Sequence, residues 1–294
     1  MRNKLTIGII GGRGMLGKIF KKFFRKHGYT VLISGRKTKL TGKELVKKSD
    51  VVIFSVPIDV TKKVIGKVLP YTRKEQLLMD LTSIKEEPIK VMLKSKASVI
   101  GLHPIFGSVA SLKGKTIIIV PARPGKWLKW LLDLFKKEKI NVKIATAKKH
   151  DQVMAILQGL IHFNFITIGH VLRDVSKNLK ISLKDLLDYG GIIYRIRLGM
   201  IARILAQDPA LYADISILNK HTKKIVRKYE KTVKGLSKII RNKDKKAFIK
   251  YFKDAADFFG KFQERILKRK QFFDRAISKI KNKRFQKELT KKKN

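Results

Sequence analysis

Three short stretches of this sequence combine residue types that bind a phosphorylated cofactor or move a proton. The first, Gly11 to Gly17, reads GGRGMLG, a spacing that lets the backbone turn tightly and approach a pyrophosphate. The others place Ser83 and His103 after two separate apolar runs. Because an imidazole with an unperturbed pKa of about 6.5 accepts a proton near neutral pH, His103 is a candidate general base. These residues predict chemistry on a small molecule beside a bound nucleotide.

The glycine-rich loop lies where a dinucleotide site requires it. It follows the apolar run Leu5 to Ile10 and precedes an amphipathic stretch that continues to Lys26, which gives the order strand, loop, helix. Gly12 is predicted to permit the tight turn, Gly14 to admit the pyrophosphate, and Gly17 to allow close helix packing. The helix N-terminus offers unpaired amides to the anion. The predicted cofactor contacts of this loop are Gly12, Arg13, Gly14, Met15, Leu16 and Gly17.

The apolar runs around these motifs predict a Rossmann domain over residues 1–146. Short β-rich runs alternate with amphipathic segments, which is typical of βαβ units on a mostly parallel sheet of about seven or eight strands. The runs are Leu5–Ile10, Tyr29–Ser34, Val51–Ser55, Leu77–Asp80, Val99–Leu102, Thr116–Val120 and Val142–Ile144. Since ligands bind beyond the carboxyl ends of such strands, we expect Ser55, Ser83 and His103 to converge there.

Residues 147–294 predict a second, all-helical domain. A long helix is expected over about residues 148–175, since apolar side chains recur there every three or four positions. A second helical strip comprises Phe248, Phe252, Ala255, Phe259, Phe262 and Ile266. This strip is either a core seam or a homodimer interface. The final run, Lys291 to Lys293, is predicted to be frayed and solvated.

The end of the second strand predicts which dinucleotide is bound. NAD-selective domains place a carboxylate there for the ribose 2′-hydroxyl, whereas this sequence reads Ser34-Gly35-Arg36-Lys37. A hydroxyl and two cations suit a 2′-phosphate, so we predict NADP as cofactor, with NAD as the alternative. The predicted contacts outside the glycine-rich loop are Ser34, Arg36, Ser55, Val56 and Pro57.

The composition is that of a folded protein without disulfides. The chain has 44% hydrophobic and 31% charged residues and no cysteine, which excludes disulfides and thiolate metal ligands. We recognise no constellation of metal ligands and predict no metal. The N-terminus enters the first strand without the charged, apolar and small-residue sections of a signal peptide, and no apolar run reaches the roughly 18 residues of a membrane span. We therefore expect a cytoplasmic protein that is neither exported nor membrane-spanning.

The formal net charge of +47 favours anionic partners in general. The lysines and arginines are spread over the polar positions of helical patterns, and no recognisable nucleic-acid motif accompanies them. We predict a solvated basic surface and no specific nucleic-acid partner. A nucleic-acid-binding protein that has lost catalysis is the rival, and a salt titration of DNA binding separates the two.

Several motifs together resemble the prephenate dehydrogenase family, which includes the arogenate dehydrogenases. They are Phe54-Ser55-Val56-Pro57, Asp80-Leu81-Thr82-Ser83-Ile84-Lys85, Gly101-Leu102-His103-Pro104-Ile105-Phe106-Gly107, His150-Asp151-Gln152, Ile193-Tyr194-Arg195, Ala202-Arg203-Ile204-Leu205-Ala206-Gln207-Asp208-Pro209 and Tyr212-Ala213-Asp214-Ile215. The resemblance runs nearly the whole length. One departure is Gly107-Ser108-Val109, because the family commonly has a proline after the glycine.

The resemblance implies a role for each candidate residue. His103 would accept the proton of the ring 4-hydroxyl while a hydride passes to the nicotinamide, after which the ring carboxylate leaves as CO2. Ser83 would orient His103, or alternatively cap the following helix. Arg203 would grip the ring carboxylate through its guanidinium. The other implied substrate-cleft or domain-junction residues are His150, His162, Arg195 and Lys85.

The implied activity is oxidative decarboxylation of prephenate to 4-hydroxyphenylpyruvate in tyrosine biosynthesis. Arogenate is the alternative substrate, and Asp151 is the nearby carboxylate that would suit its ammonium. Another Rossmann NADP-dependent oxidoreductase is a further alternative that fold alone does not exclude. The length suggests the stand-alone form of the enzyme, acting as a homodimer on a small-molecule substrate.

Overall fold

The computed structural model of the protein describes residues 5–107 and 109–268. Its first part is a seven-stranded sheet with the order β2-β1-β3-β4-β5-β6-β7, in which every neighbouring pair is parallel except β5 and β6. The strands are β1 Thr6–Ile10, β2 Thr30–Ser34, β3 Val51–Phe54, β4 Leu77–Asp80, β5 Ser98–Pro104, β6 Thr116–Arg123 and β7 Asn141–Ile144. All the predicted strands are confirmed, with ends that differ by a few residues.

Helices cover both faces of this sheet. They are α1 Met15–Lys26, α2 Gly42–Lys47, α3 Ile58–Val68, α4 Glu86–Met92 and α5 Trp127–Lys137, with a short 3₁₀ helix at Leu69–Tyr71. Every residue of β3 is fully buried, as expected for a central parallel strand that is packed on both faces. Helix α1 turns Phe20, Phe23 and Phe24 inward against the core. This packing fixes the loop between β1 and α1.

After Ile144 the described residues form helices and no strand, as predicted. The helices are α6 Ala147–Met154, α7 Ile161–Leu179, α8 Leu183–Tyr189, α9 Ile192–Leu205, α10 Pro209–Leu218, α11 Thr222–Arg241, α12 Lys245–Phe259 and α13 Lys261–Lys268. A π-helix, Ala155–Leu160, joins α6 to α7. The predicted fold class, a Rossmann domain followed by an all-helical part, is therefore confirmed.

The chain forms two compact units that do not follow the simple order of the sequence. One comprises the residues up to Thr167 together with Ile204–Val226, and the other comprises Ile168–Arg203 and the residues from Arg227 onward. The first unit thus contains the sheet, α6, the π-helix and α10. The predicted boundary between residues 146 and 147 coincides with the change from strands to helices and otherwise stays a prediction.

One helical stretch, Ala147–Leu179, is long and apolar enough by length and composition to cross a membrane. We expected no such segment, because no apolar run of the sequence reaches about 18 residues. Near its start, however, the stretch carries buried His150 and Asp151, which hydrogen-bond to His103 of β5 and to the backbone of Lys85. These bonds place the first turns of the stretch in the protein interior.

The predicted strip from Phe248 to Ile266 does not lie on one continuous helix. Gly260 has a positive φ of 39° and separates α12 from α13. Glycine adopts this conformation at little cost, and a three- or four-residue repeat does not reveal the break. The side chains of Phe252, Phe259 and Phe262 are all more than half exposed. The core-seam interpretation of the strip is therefore wrong for the isolated chain. The predicted frayed tail, Lys291 to Lys293, lies outside the described residues.

Candidate active site

The glycine-rich loop has the close packing that its spacing predicts. The residue with positive φ is Gly11, at 87°, and a Cβ there would lie 2.1 Å from the carbonyl oxygen of Ser55. Gly12 lies inside the turn that the hydrogen bond from Gly14 N–H to the Gly11 carbonyl oxygen closes at 2.9 Å, so its predicted role in the turn stays a prediction. Gly12 also leaves room for Ile33 of β2, whose Cγ2 would lie 2.4 Å from an added Cβ. The local motif does not show this packing against a neighbouring strand.

The start of α1 is suited to an anion. Gly14 is the N-cap residue, and no side chain caps the helix, so the amides of the first turn have no partner within it. A Cβ on Gly17 would lie 2.5 Å from the carbonyl oxygen of Gly11, which accounts for the close approach of helix and loop. Gly14, Met15 and Leu16 line a cleft at this position. Arg13 is exposed and does not line it.

This cofactor cleft has a volume of about 840 Å³. Ser55, Val56 and Pro57, which follow β3, line one part of it, as predicted. Gly35 and Arg36, which follow β2, line another. The cleft therefore connects the three places where the sequence predicts contacts to a dinucleotide. Its size and the uncapped helix end fit a bound dinucleotide with its pyrophosphate at α1.

The two polar residues at the end of β2 differ in their availability. The Ser34 hydroxyl is buried and donates a hydrogen bond of 2.9 Å to the carbonyl oxygen of Leu40, so it shapes the loop. The prediction that Ser34 contacts a 2′-phosphate is not supported, because its proton is already donated. Arg36 is exposed, lines the cleft, and forms no hydrogen bond or ion pair with any described residue. A Cβ on Gly35 would meet nothing within 4 Å, so this end of the cleft is open.

The first turns of α10, together with Asp208 before it, also line the cleft, which sequence reasoning missed. Asp214 accepts a hydrogen bond of 3.3 Å from the backbone N–H of Asp59 at the start of α3. The adjacent Ile215 packs against Ile58 and Ile84. The motif containing Asp214 was visible in the sequence, but its function there, closing one side of the cleft, depends on tertiary packing.

His103 ends in a buried position near the carboxyl end of β5. Its Nδ1 lies 2.9 Å from Nε2 of His150. Burial lowers the pKa of His103 well below its usual value near 6.5, and the neighbouring His150 and Lys85 lower it further. The imidazole is therefore neutral at physiological pH, as a general base must be. We had expected an unperturbed pKa, and burial is the physical reason for the difference.

His150 lies between His103 and a carboxylate. Its Nδ1 is 2.7 Å from Oδ1 of Asp151. Asp151 also accepts hydrogen bonds from the backbone N–H groups of Lys85, at 2.7 Å, and Glu86, at 2.9 Å. The side-chain amide of Asn219 donates a hydrogen bond of 2.8 Å to the backbone carbonyl oxygen of Asp151 and helps to hold this residue in place. The structure thus brings together His103 and His150, and adds Asp151.

Lys85 is not placed to contact a substrate, contrary to expectation. Its side chain is fully buried, its ammonium pairs with Asp80, and it donates a hydrogen bond of 2.8 Å to the carbonyl oxygen of Leu102. Burial lowers the pKa of Lys85, and the charge of Asp80 opposes that effect. Gly101 provides the space, since a Cβ there would lie 2.9 Å from Lys85 Cδ. Lys85 therefore supports the strand that carries His103.

Ser83 does not have either expected contact. Its hydroxyl forms no hydrogen bond with the described residues, and the residue before α4 is Lys85, so Ser83 does not cap that helix. His103 is oriented by His150 instead. Ser83 is partly exposed at the end of β4, where a contact to substrate stays a prediction.

His162 is buried in the first turn of α7, directly after the π-helix. Its ring packs on Tyr212 with centroids 4.5 Å apart, its Nδ1 has no partner among the described residues, and burial lowers its pKa. A buried imidazole with a vacant nitrogen is suited to a polar ligand. Its role in substrate binding stays a prediction.

The two predicted arginines belong to the second compact unit. Arg195 donates from Nε to the carbonyl oxygens of Leu187, at 2.7 Å, and Gly190, at 3.0 Å, and so satisfies the end of α8. This gives Arg195 a structural function that the sequence did not suggest. Arg203 is exposed near the end of α9. Its predicted grip on the ring carboxylate is a proposal. The departure at Ser108 lies outside the described residues.

Comparison with known proteins identifies the family. Residues 23–144 match the model described as "Prephenate dehydrogenase, nucleotide-binding domain", and residues 146–254 match "Prephenate dehydrogenase, dimerization domain". The chain is similar to the "Probable arogenate/prephenate dehydrogenase" of Methanocaldococcus jannaschii, with 40% identity over 88% of this chain and 62% of that protein. It is also similar to the "T-protein" of Haemophilus influenzae, with 34% identity over 89% of this chain and 69% of that protein.

A solved structure agrees in fold. Prephenate dehydrogenase from A. aeolicus, crystallised with hydroxyphenyl propionate and NAD+, superposes with a TM-score of 0.68 at 20% identity, covering 88% of this chain and 99% of that chain. At this identity the likeness concerns the fold alone. The chain spans slightly less than two thirds of the M. jannaschii protein, 62% of its length. Since both family models match in succession, over residues 23–144 and 146–254, the chain belongs to the prephenate dehydrogenase family.

Proposed function

We propose that this protein is an NADP-dependent prephenate dehydrogenase that forms 4-hydroxyphenylpyruvate and CO2. The observation that carries the proposal is His103, a buried and neutral imidazole at the carboxyl end of β5 in a member of this family. It lies in the same compact unit as the cofactor cleft. The rival, another Rossmann oxidoreductase, has no comparable support in the family match.

The residues of this chain perform the proton chemistry. His103 accepts the proton of the 4-hydroxyl as C4 of the ring loses a hydride. NADP+, when bound, supplies the hydride acceptor. Loss of the ring carboxylate as CO2 then gives the aromatic product as a phenolate. The proton held by His103 returns to the phenolate oxygen. Arg203 is the proposed partner of the ring carboxylate, since a guanidinium binds a carboxylate through two hydrogen bonds. Ser83 and His162 are proposed to contact the rest of the substrate.

The open end of the cleft supports NADP over NAD. No carboxylate follows β2, and Arg36 is exposed with its guanidinium uncommitted to any described residue. Lys63 and Lys67, on one face of α3, also line the cleft, as do Asp59, Asp208 and Asp214. The preference for NADP is therefore inferred from the place of Arg36 and not from the net charge of the cleft. A carboxylate at this position would repel a 2′-phosphate, whereas the guanidinium attracts it.

The arrangement around Asp151 supports prephenate over arogenate. Asp151 was the carboxylate nearest in sequence to the predicted histidines that would suit an ammonium group. Its oxygens already accept hydrogen bonds from His150, Lys85 N–H and Glu86 N–H, and the side chain is almost fully buried. A carboxylate with these partners has little capacity left for the ammonium of arogenate. The keto acid is the better match.

We also propose that the protein is a cytoplasmic homodimer. The second compact unit has one buried hydrophobic side chain, Ile201, among its described residues. Exposed apolar side chains in this unit include Val175, Leu179, Phe252 and Phe259. A second copy covering this surface removes it from water. The match to a dimerization domain over residues 146–254 supports this occupant.

One assay tests the proposed activity. Reduction of NADP+ and of NAD+ is followed by absorbance with prephenate and with arogenate as substrates, and the aromatic product is identified by chromatography. We expect prephenate with NADP+ to give the highest kcat/KM. Turnover of arogenate without turnover of prephenate contradicts the substrate assignment, and no turnover of either contradicts the proposed function.

A further inference from the structure

Three buried side chains form a continuous hydrogen-bonded series in the first compact unit. We call His103, His150 and Asp151 the histidine chain. They are 3%, 1% and 4% exposed. His103 Nδ1 lies 2.9 Å from His150 Nε2, and His150 Nδ1 lies 2.7 Å from Asp151 Oδ1. Because each imidazole has two distinct nitrogens, the series determines where the protons lie.

Asp151 fixes the direction of the series. Its two carboxylate oxygens accept hydrogen bonds from the backbone N–H groups of Lys85 and Glu86, which are donors only. A carboxylate used in this way is an acceptor for every partner. His150 must therefore donate from Nδ1 to Asp151. An unprotonated Nδ1 would place its lone pair against the lone pairs of the carboxylate oxygen.

The protonation of His103 follows from that of His150. When His150 carries a single proton, that proton lies on Nδ1, and Nε2 presents a lone pair. His103 Nδ1 must then donate its proton to that lone pair at 2.9 Å. The remaining nitrogen of His103, Nε2, is left with the free lone pair. The opposite tautomer of His103 would place two lone pairs against each other in a buried site, a costly arrangement.

We infer that His150 and Asp151 are positioning residues that hold His103 as the tautomer whose Nε2 accepts the substrate proton. This inference rests on the proposed function, because it assigns the nitrogen that acts on the hydroxyl. The same series orients the ring, and its terminal carboxylate favours the imidazolium that forms when His103 takes the proton.

Lys85 and Gly101 keep the two ends of the histidine chain in register. Lys85 binds the carbonyl oxygen of Leu102 through its ammonium and Asp151 through its backbone N–H. One residue therefore connects the strand before His103 with the carboxylate at the far end. The charged or titratable groups that influence His103 are His150 and Lys85, and Lys85 is paired with Asp80.

The test combines NMR and kinetics on the full-length protein. Protein labelled with ¹⁵N-histidine, saturated with NADP+, gives the protonated nitrogen of each imidazole from two-bond ¹H–¹⁵N correlations, and His103→Asn and His150→Gln variants assign the signals. Kinetics with prephenate compare His150→Phe, which removes the acceptor, with His150→Gln, whose side-chain oxygen replaces it. His170→Gln is the matched control, because His170 is exposed and lies in the other compact unit.

We expect His103 and His150 both to carry their proton on Nδ1. In His150→Phe, kcat should fall by about 100-fold with KM for prephenate and NADP+ within about twofold, and His150→Gln should recover to within about tenfold of the wild type. A wild-type His103 protonated on Nε2 overturns the inference, even if His150→Phe does not fold. An unchanged kcat in a folded His150→Phe variant also overturns it. Because the tautomers are read without turnover, failure of the proposed activity is seen separately, as a wild-type enzyme that does not oxidise prephenate.

Discussion

The histidine chain and the loop after β2 differ in burial and in whether their polar side chains already have partners. The histidine chain is buried, and each nitrogen and oxygen that links its three residues has a hydrogen-bond partner. The loop from Gly35 to Leu40, here called the Arg36 loop, is largely exposed. The side chain of Arg36 has no hydrogen-bond or ion-pair partner among the described residues. The polar groups of the first region are hydrogen-bonded to one another without any ligand. In the second region, the guanidinium of Arg36 is available to bind an anionic ligand.

This difference predicts how substitutions divide between catalysis and binding. Buried and fully bonded groups are costly to disturb, because their partners remain buried and unsatisfied. An exposed arginine is cheap to remove, because water replaces what is lost. Changes in the histidine chain should therefore alter kcat and stability, while changes in the Arg36 loop should alter cofactor affinity alone.

The largest effect is expected at His103. His103→Asn removes the proton acceptor and should lower kcat by about 10² to 10⁴, which is the usual contribution of a positioned general base. The dissociation constant for NADP+, measured by fluorescence titration, should stay within about twofold, because the imidazole is not part of the cofactor cleft. Retention of full activity in this variant contradicts its role as the base.

A smaller effect is expected at Arg203, and it should appear in KM. Loss of a charge-assisted contact worth about 2 to 3 kcal/mol raises KM for prephenate by about 30- to 150-fold in Arg203→Ala, with little change in kcat. Arg197→Ala is the control on the same helix, α9. Equal losses in both variants would indicate a general effect of positive charge, and the specific carboxylate contact would be rejected.

The Arg36 loop should show an effect of about tenfold. Arg36→Ala is expected to reduce the preference for NADP+ over NAD+, expressed as a ratio of kcat/KM values, by about tenfold or more through KM for NADP+. Lys39→Ala is the matched control, since Lys39 belongs to the same loop but does not line the cleft. If the wild-type enzyme uses both cofactors equally, Arg36 is an ordinary surface cation.

The smallest effect concerns stability as a function of pH. Burial makes the pKa of His103 lower in the folded protein than in the unfolded chain, so between the two values the unfolded chain binds more protons. Stability is therefore fully present above about pH 6.5 and is lost as the pH falls from there toward the folded-state pKa. The slope from this group is about 1.4 kcal/mol per pH unit. Urea unfolding at several pH values should show a shallower slope in His103→Asn, and identical slopes would argue against a buried neutral imidazole.

The sequence predicted the elements best where the pattern is local. Continuous apolar runs such as Val51–Phe54 identify buried parallel strands, and the spacing of Gly11 to Gly17 identifies the cofactor loop. The helix break at Gly260 was missed because the apolar repeat continues across it.

The sequence predicted less where distant residues determine the outcome. Gly11 has a positive φ and also lies against the Ser55 carbonyl, and Gly101 leaves space for the buried side chain of Lys85. The family resemblance implied that Lys85 lies at the substrate cleft or the domain junction, and the sequence alone does not show that its side chain is buried. His150 and Asp151 were visible as an adjacent pair, but their connection to His103 depends on the packing of α6 beside β5.

The pH dependence of kcat/KM for prephenate tests the central claim most directly, because at saturating NADP+ it reports the ionisation of the base in the enzyme–cofactor complex before prephenate binds. With saturating NADP+ and initial rates, we predict that kcat/KM is constant through neutral pH and falls on the acid side through a single ionisation whose midpoint lies well below 6.5, following the lowered pKa of His103. This acid limb should be absent from the residual activity of His103→Asn. A midpoint at or above about 6.5, or the same limb in His103→Asn, would contradict the assignment of His103 as the buried general base.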